Sequence, residues 1–274
     1  MKTLHLKAPA KINLHLQVIK KRPDNYHEIR TVFQLINLYD HLIISANKKE
    51  IKLNQQNLEI EDNIIMRAAL KLKKHTNTST GADISLLKRI PLKKGLGGGS
   101  SDAACTLIGL NHLWKTGLCL DDLCSIGADL GADIPIFIQG TSCWGEGKGE
   151  ILSQINLPKK LFLLAFPKVG ISTKLAFEAI KINSKKEITL LDFKKGKKIN
   201  DFQDWAINSS SEIYEAFDIL REYGNPMLTG TGSALFIEFI DLEEGKMALN
   251  KIQKKLEAIL VNSLDYSPLR PLLS

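Results

Sequence analysis

The segment Gly95-Leu96-Gly97-Gly98-Gly99-Ser100-Ser101 constrains this chain more than any other, because it runs straight into a helical pattern. Ala103, Leu107, Leu110 and Trp114 follow it at helical spacing. Glycines let successive N–H groups turn toward one anion and let that anion approach closely. The helix N-terminus adds the positive end of its dipole. Ser100 and Ser101 supply hydroxyls, and Lys93 and Lys94 stand just upstream. The loop lacks the Lys-Ser/Thr ending of a Walker loop, and its glycines do not follow the GxGxxG spacing of a dinucleotide fold. A flexible linker is the alternative, but the tight succession of strand, Pro91, loop and helix argues against one. The expectation is a phosphate-binding loop.

Periodicity organises the remainder. Ala10, Ile12, Leu14, Leu16 and Val18 alternate with Lys11, Asn13, His15 and Gln17, which puts the polar set on one strand face. Taken alone, that face reads as an exposed strand edge. Further strands are expected over 31–38, 41–44 and 84–90. A helix is expected after Asn63, a suitable N-cap, with Ile65, Ala68, Ala69 and Leu72 inward. A second short helix after Asp121 stops at Gly131, and Asp133-Ile134-Pro135 follows. Asp133 can be a turn former or a chemical group; Asp129 is its neighbour and competitor, and residue types alone do not choose between them.

Tyr26 and His27, after the Asp24-Asn25 turn, could stack on and hydrogen-bond a planar ring, or simply sit half-buried in a loop. Later, a strand is expected over 161–166, a helix from Ser172, a lysine-rich loop over 181–200, and helices around 202–207 and 212–223. A strand over 228–239 is interrupted by Gly230-Thr231-Gly232, either a bulge or a second anion-facing turn. An amphipathic helix is expected over 244–260. Helices and strands mix without a regular βαβ rhythm, which points to an α+β fold in two lobes, residues 1–155 and 156–274.

Composition excludes several classes. With 44% hydrophobic and 24% charged residues, the 274-residue chain is ordinary globular protein rather than disordered. No apolar run approaches the ~20 residues of a membrane span. The opening residues alternate charged and apolar without a signal-peptide core, so the cytosol is the expected compartment. The four cysteines form no CxxC pair and no metal-finger spacing, so neither a disulfide framework nor a metal centre is expected. The net charge of +7 comes mostly from dispersed lysines, with six arginines, which disfavours a nucleic-acid partner.

In order along the chain, PAKINLHL, GLGGGSSDAA, LGADIPIF and LTGTGSALF resemble the motifs of the GHMP family of small-molecule kinases. PAKINL, Asp24-Asn25-Tyr26-His27-Glu28 and Gly131-Ala132-Asp133-Ile134-Pro135 resemble the branch that phosphorylates a cytidine-diphosphate-bearing methylerythritol in the non-mevalonate isoprenoid pathway. The resemblance spans essentially the whole chain. It implies a ribosomal-S5-domain-2-like first lobe, a ferredoxin-like second lobe, ATP as co-substrate and Mg²⁺ on its phosphates. It further implies that Pro91, Leu92, Lys93, Lys94, Gly95, Leu96, Gly97, Gly98, Gly99, Ser100 and Ser101 wrap the ATP phosphates, with Asn63 near the adenine. Lys11 and Asp133 match the family's catalytic pair. Asn13, Tyr26 and His27 would line the substrate pocket with Tyr26 stacked on cytosine, and Thr173 and Phe177 would approach it from the second lobe. The implied partner is a small molecule carrying cytidine diphosphate, bound by a monomer or weak homodimer without nucleic acid or membrane.

Homoserine and mevalonate kinases of the same family are alternatives that Tyr26-His27 argues against. Three departures stand out: Asn25 replaces the usual glycine, Lys94 replaces a small residue, and Asn208-Ser209-Ser210 replaces a family segment. Asparagine is the residue most tolerant of a positive φ after glycine, so the Tyr26 turn is expected to survive.

Overall fold

The computed structural model describes residues 2–55, 63–182 and 186–273. Its spine is a long antiparallel hairpin of β1 (Thr3–Lys21) and β2 (His27–Asn47). Pro9 does not end β1; the pairing register shifts between Pro9 and Ala10 instead. Such a shift turns side chains to the opposite face. Leu6 and Ala8 therefore join the core of the first lobe, whereas Ala10, Ile12 and Leu14 face the second. Likewise β2 is one strand and not two, because Asp40 at its centre is buried and bonded rather than a break.

The other edge of β2 is shared. Its C-terminal half pairs with β4 (Gly81–Leu87), which pairs in turn with β3 (Ile51–Gln55). Its N-terminal half pairs with β5 (Cys143–Glu146), followed by β6 (Ile151–Gln154), where sequence alone shows only a glycine-rich turn. Against this sheet pack α1 (Ile64–Thr76), α2 (Gly98–Trp114), α3 (Leu120–Ala128) and α4 (Ile134–Gln139). The inward face of α1 is the expected one of Ile65, Ala68, Ala69 and Leu72. Residues 101–111 of α2 are buried all round, as befits a central helix.

The second lobe holds β7 (Leu161–Ala165), α5 (Thr173–Ala179), α6 (Leu190–Lys194), α7 (Gln203–Ser209), α8 (Ser211–Arg221), β8 (Met227–Leu228), β9 (Leu235–Phe239), α9 (Leu242–Ile252) and β10 (Ala258–Asn262). Its antiparallel sheet has the order β10-β7-β9-β8. The helix expected to reach residue 260 ends at Ile252, and Ala258 to Asn262 pair with β7. Ala10, Ile12, Val32 and Ile36 of the hairpin share a core with Phe162, Leu164, Phe166 and Phe236, so the two lobes close on one another through apolar contact. Beyond β10 the chain returns to the first lobe, where Leu264 N donates to Leu35 O at 2.8 Å and Leu269 enters the core. Among the described residues no helix is long and apolar enough to cross a membrane.

The polar face of β1 is not an exposed edge. Lys11, Asn13, His15 and Gln17 are all buried: Lys11 lies against the glycine loop and the Phe33 ring, Asn13 bonds to Thr31 and Thr229, and second-lobe residues Ile199, Lys186 and Ile188 cover His15 and Gln17. The His15 ring stacks nearly parallel on Trp144 with centroids 5.9 Å apart, and its Nδ1 accepts from Ile199 N at 3.3 Å. Burial lowers its pKa from 6.5 to about 4. Between those values the unfolded chain takes up a proton that the folded chain refuses, so stability falls as pH drops through this window. His15→Phe keeps the stack and removes the proton site, and is expected to flatten the curve between pH 6.5 and 4. Urea midpoints across that range check it, and an unchanged slope would locate the dependence elsewhere.

Candidate active site

A cleft of about 1130 Å³ lies where the hairpin, the glycine loop and the second lobe meet. The loop after β4 turns at Gly95 (φ +72°) and Gly97 (φ +70°), a conformation that side chains rarely adopt. Space forbids one as well: a Cβ would lie 2.2 Å from Thr229 O at Gly95 and 2.7 Å from Phe137 Cζ at Gly97. Gly97 caps α2, whose first residues Gly98, Gly99 and Ser100 line the cleft with the helix N-terminus aimed into it. Thr229 secures the loop from the second lobe, its hydroxyl donating to Gly95 O at 3.3 Å and accepting from Asn13 N at 3.0 Å. Gly230 and Thr231 reach the cleft wall beside it.

Lys94, the departure upstream, turns its ammonium to the second lobe. It donates to Val169 O at 2.6 Å, to Ser233 Oγ at 3.2 Å and to Pro167 O. Burial holds its pKa below the ordinary lysine value. It acts as a tie between loop and lobe, and Pro91, Leu92 and Lys93 carry the cleft wall beside it.

Lys11 Nζ donates to Asn13 Oδ1 at 2.6 Å and lies 3.4 Å from Asp133 Oδ2. Asn13 Nδ2 in turn donates to Thr31 Oγ1 at 2.7 Å, which fixes the amide so that its oxygen faces the lysine. Asp133 occupies the N-cap position of α4 but makes no side-chain cap bond, which leaves its carboxylate facing the cleft. Asp129 lies elsewhere, paired with Lys71 at 2.8 Å. Of the two aspartates, Asp133 is on the cleft wall and Asp129 is not.

At the other end stand Tyr26, His27, Thr173 and Phe177. Asn25 takes φ +64°, the expected left-handed turn. The His27 and Phe177 rings are 5.1 Å apart, and Thr173 Oγ1 lies 3.4 Å from Thr231 Oγ1. Burial, and then the neighbouring Lys21, lower the pKa of His27, favouring the neutral ring with one donor and one acceptor.

One expected loop residue is placed differently, and Asn63 is the helix cap its position suggested. Ser101 is fully buried and its hydroxyl donates to Pro9 O at 2.6 Å, so it ties α2 to β1 and does not face the cleft. Asn63 caps α1 by accepting from Ile65 N at 2.9 Å and is not part of the cleft wall, although Ile64 beside it approaches Gly99. The motifs give no sign of Lys88 beneath the loop, held by Asp40 Oδ2 at 2.5 Å and Asp102 Oδ2 at 2.8 Å. An aspartate inside a strand pattern is the one available signal for it.

The described residues hold no group of three or more metal-binding side chains. The sequence pattern of the "GHMP kinases N terminal domain" family matches residues 63–141, which include the glycine loop, α2 and Asp133. Over 276 residues the chain is 39% identical to 4-diphosphocytidyl-2-C-methyl-D-erythritol kinase from Psychromonas ingrahamii, covering 99% of this chain and 97% of the relative. The chain belongs to the 4-diphosphocytidyl-2-C-methyl-D-erythritol kinase family. The member from Methylococcus capsulatus is 38% identical, with 97% and 94% of the two chains covered. Among solved structures, a crystal structure of 4-(cytidine 5'-diphospho)-2C-methyl-D-erythritol kinase is 29% identical and superposes with a TM-score of 0.82 over 95% of this chain and 99% of its own. A crystal structure of mevalonate kinase shares the fold at 18% identity, with a TM-score of 0.73 over 96% and 99%. The two-lobed α+β architecture and kinase activity are therefore those of this kinase family.

Proposed function

We propose that the chain transfers the γ-phosphoryl group of ATP to the 2-hydroxyl of 4-diphosphocytidyl-2-C-methyl-D-erythritol, using the residues of this cleft. The observation that carries the reading is the Lys11–Asp133 pair, 3.4 Å apart, between a glycine loop and a wall bearing Tyr26 and His27. Phosphoryl transfer needs in-line positioning and charge neutralisation more than covalent chemistry. The ATP phosphates lie against residues 91–100, where loop amides and the α2 dipole neutralise the charge of the departing ADP. The substrate hydroxyl lies against Asp133, which takes its proton as the oxygen attacks phosphorus. Lys11, held by Asn13, faces the charge that builds on the transferring group.

Mg²⁺ in such sites takes one or two carboxylates, phosphate oxygens and water. Ser100, on the cleft wall at the start of α2, carries a hydroxyl that would hold the ion beside the phosphate oxygens, with water completing its shell. When bound with ATP, the ion supplies further neutralisation of phosphate charge. At the far end Tyr26 stacks on cytosine, with Thr173 and Phe177 closing the pocket. Cytosine offers an acceptor at N3 and a donor at N4, so the neutral His27 ring can read its edge. The dispersed lysines support a small molecule as partner rather than nucleic acid or membrane, for a cytoplasmic monomer or weak homodimer.

Turnover of this substrate with ATP, alongside homoserine and mevalonate, tests the reading. Tyr26→Ala is expected to raise KM for the cytidine substrate about tenfold or more, with KM for ATP near its parent value, since stacking on an aromatic ring contributes ~1–3 kcal/mol per base. Turnover of homoserine or mevalonate instead, or a Tyr26→Ala enzyme with unchanged KM, would remove cytidine recognition from the assignment.

A further inference from the structure

After β10 the chain runs from the second lobe to the far end of α4. It first lies along β2, where Asn262 N donates to Asn37 Oδ1 at 2.7 Å and Gln34 Nε2 donates to Leu264 O at 3.1 Å. It then meets the C-terminal end of α4: Ser267 N donates to Gly140 O at 2.7 Å, and Tyr266 bridges to Thr141. The approach is close, since a Cβ on Gly140 (φ +65°) would lie 3.0 Å from Ser267 Cβ. Ser267 is buried, and its Oγ accepts from Leu269 N at 3.2 Å. Leu269 enters the core that holds Ile134, Ile136, Phe137 and Ile138 of α4. Outside, the Arg270 guanidinium closes the turn over the Tyr266 ring, 4.0 Å from its centroid.

This strap meets a helix with an unusual need. At six residues α4 is too short to be stable on its own. Its N-cap residue, Asp133, makes no cap bond, because the carboxylate faces the cleft. A carboxylate kept for the cleft is not available to its own helix, so α4 has to be secured elsewhere. Helices α2 and α3 pack along its sides, closely enough that a Cβ on Gly127 would lie 2.8 Å from Ile134 Cγ2. The strap secures its end.

We propose that Ser267 and Leu269 are positioning residues for Asp133: through Gly140 and the core under α4, the strap sets where that carboxylate stands beside Lys11. This rests on the reading of Asp133 as the base. Neither residue lines the cleft, so both act through α4. A displacement of about 1 Å at a reacting group can cost on the order of a hundredfold in rate. Tyr26, His27, Thr173 and Phe177 stand on other elements, so substrate binding should not follow the strap.

Steady-state kinetics and melting temperatures of Leu269→Ala, Leu269→Met, Ser267→Ala and Leu72→Ala test this. Leu72 is buried in the same core but belongs to α1, so Leu72→Ala is a matched loss of packing away from α4. Both Leu→Ala variants should lose roughly 5–15 °C in melting temperature. Assayed well below those temperatures, Leu269→Ala should lose about ten- to a hundredfold in kcat with KM for the cytidine substrate near the parent value. Leu72→Ala should keep its kcat, and Leu269→Met, of similar volume, should recover most of the loss. Ser267→Ala removes one hydroxyl and should lower kcat several-fold, which keeps the test open if Leu269→Ala does not fold. Parent-like kcat in Leu269→Ala or, where that variant does not fold, in Ser267→Ala would overturn the proposal. So would an equal kcat loss in Leu72→Ala, because activity would then follow stability alone. Normal turnover in Asp133→Asn would instead overturn the reading of Asp133 as the base, and so is distinguishable from failure of the strap's role.

Discussion

Asp133→Asn is expected to keep the fold and ATP affinity while losing about 10²- to 10⁴-fold in kcat, the usual contribution of a general base. Folding should be spared because the Asp133 side chain caps nothing in α4, and Lys11 retains its 2.6 Å bond to Asn13. The amide occupies the same space but cannot accept the hydroxyl proton. Asp129→Asn is the matched control: it removes one exposed, solvent-screened ion pair with Lys71 and should leave turnover unchanged. Single-turnover rates, with melting temperatures and analogue binding measured on the same preparations, separate chemistry from folding. Near-parent turnover in Asp133→Asn would mean that positioning alone drives the transfer. An inactive Asp129→Asn would mean that the wrong carboxylate had been chosen.

Asp129 and Asp133 show where sequence stops and structure begins. Both stand near a glycine helix stop with ordinary reasons to be there, and each has a lysine beside it; only the fold shows that Asp133 meets Lys11 of β1 in the cleft while Asp129 meets Lys71 of α1 outside it. The glycine loop was legible because its chemistry is local: backbone amides, a helix terminus and their spacing all lie within a few residues. The burial of Lys11, Asn13 and His15 was not. Alternation places them on one face, but a single strand carries no information about the glycine loop, β2 and second-lobe residues that cover it, and a polar face by itself resembles a solvated edge. Ser101 failed for the same reason, since its hydroxyl belongs to Pro9 across the sheet. The strand at Ala258–Asn262 was hidden because Ala258, Ile259, Leu260 and Val261 form a short continuous apolar run, which periodicity alone assigns to neither strand nor helix. The break expected between strands 31–38 and 41–44 was the costliest misreading. A charge at the centre of a strand pattern looks like a break, whereas here it is the anchor that allows β2 to continue.

That anchor gives the largest expected loss of stability. Asp40 is fully buried; its Oδ1 accepts from Arg89 N at 2.6 Å and Ile90 N at 2.9 Å, and its Oδ2 holds Lys88 at 2.5 Å. Asp40→Ala strips two backbone N–H groups and one ammonium of their acceptor at once, and breaking a buried pair in this way costs about 3–5 kcal/mol. Against a total stability of about 5–15 kcal/mol, the melting temperature should fall by roughly 10 °C. Asp40→Asn should cost less, because its carbonyl can still accept one bond.

The consequences extend to the loop, since Ile90 leads directly into Pro91 and Lys88 Nζ lies 3.2 Å from where a Cβ of Gly98 would stand. KM for ATP is therefore expected to rise in Asp40→Ala protein assayed well below its melting temperature. A second readout follows from charge. Burial pushes the Asp102 carboxyl up to about 8 against the pull of Lys88, and the negative Asp40 beside it adds to the rise. With Asp40 gone, Asp102 has Lys88 to itself, and its titration, followed by carboxyl carbon NMR, should move to lower pH. An Asp40→Ala protein that melts within about 2 °C of the parent would show that Lys88 and the two amides find other acceptors. An unmoved Asp102 titration would show that the two carboxylates do not share the lysine as the geometry requires.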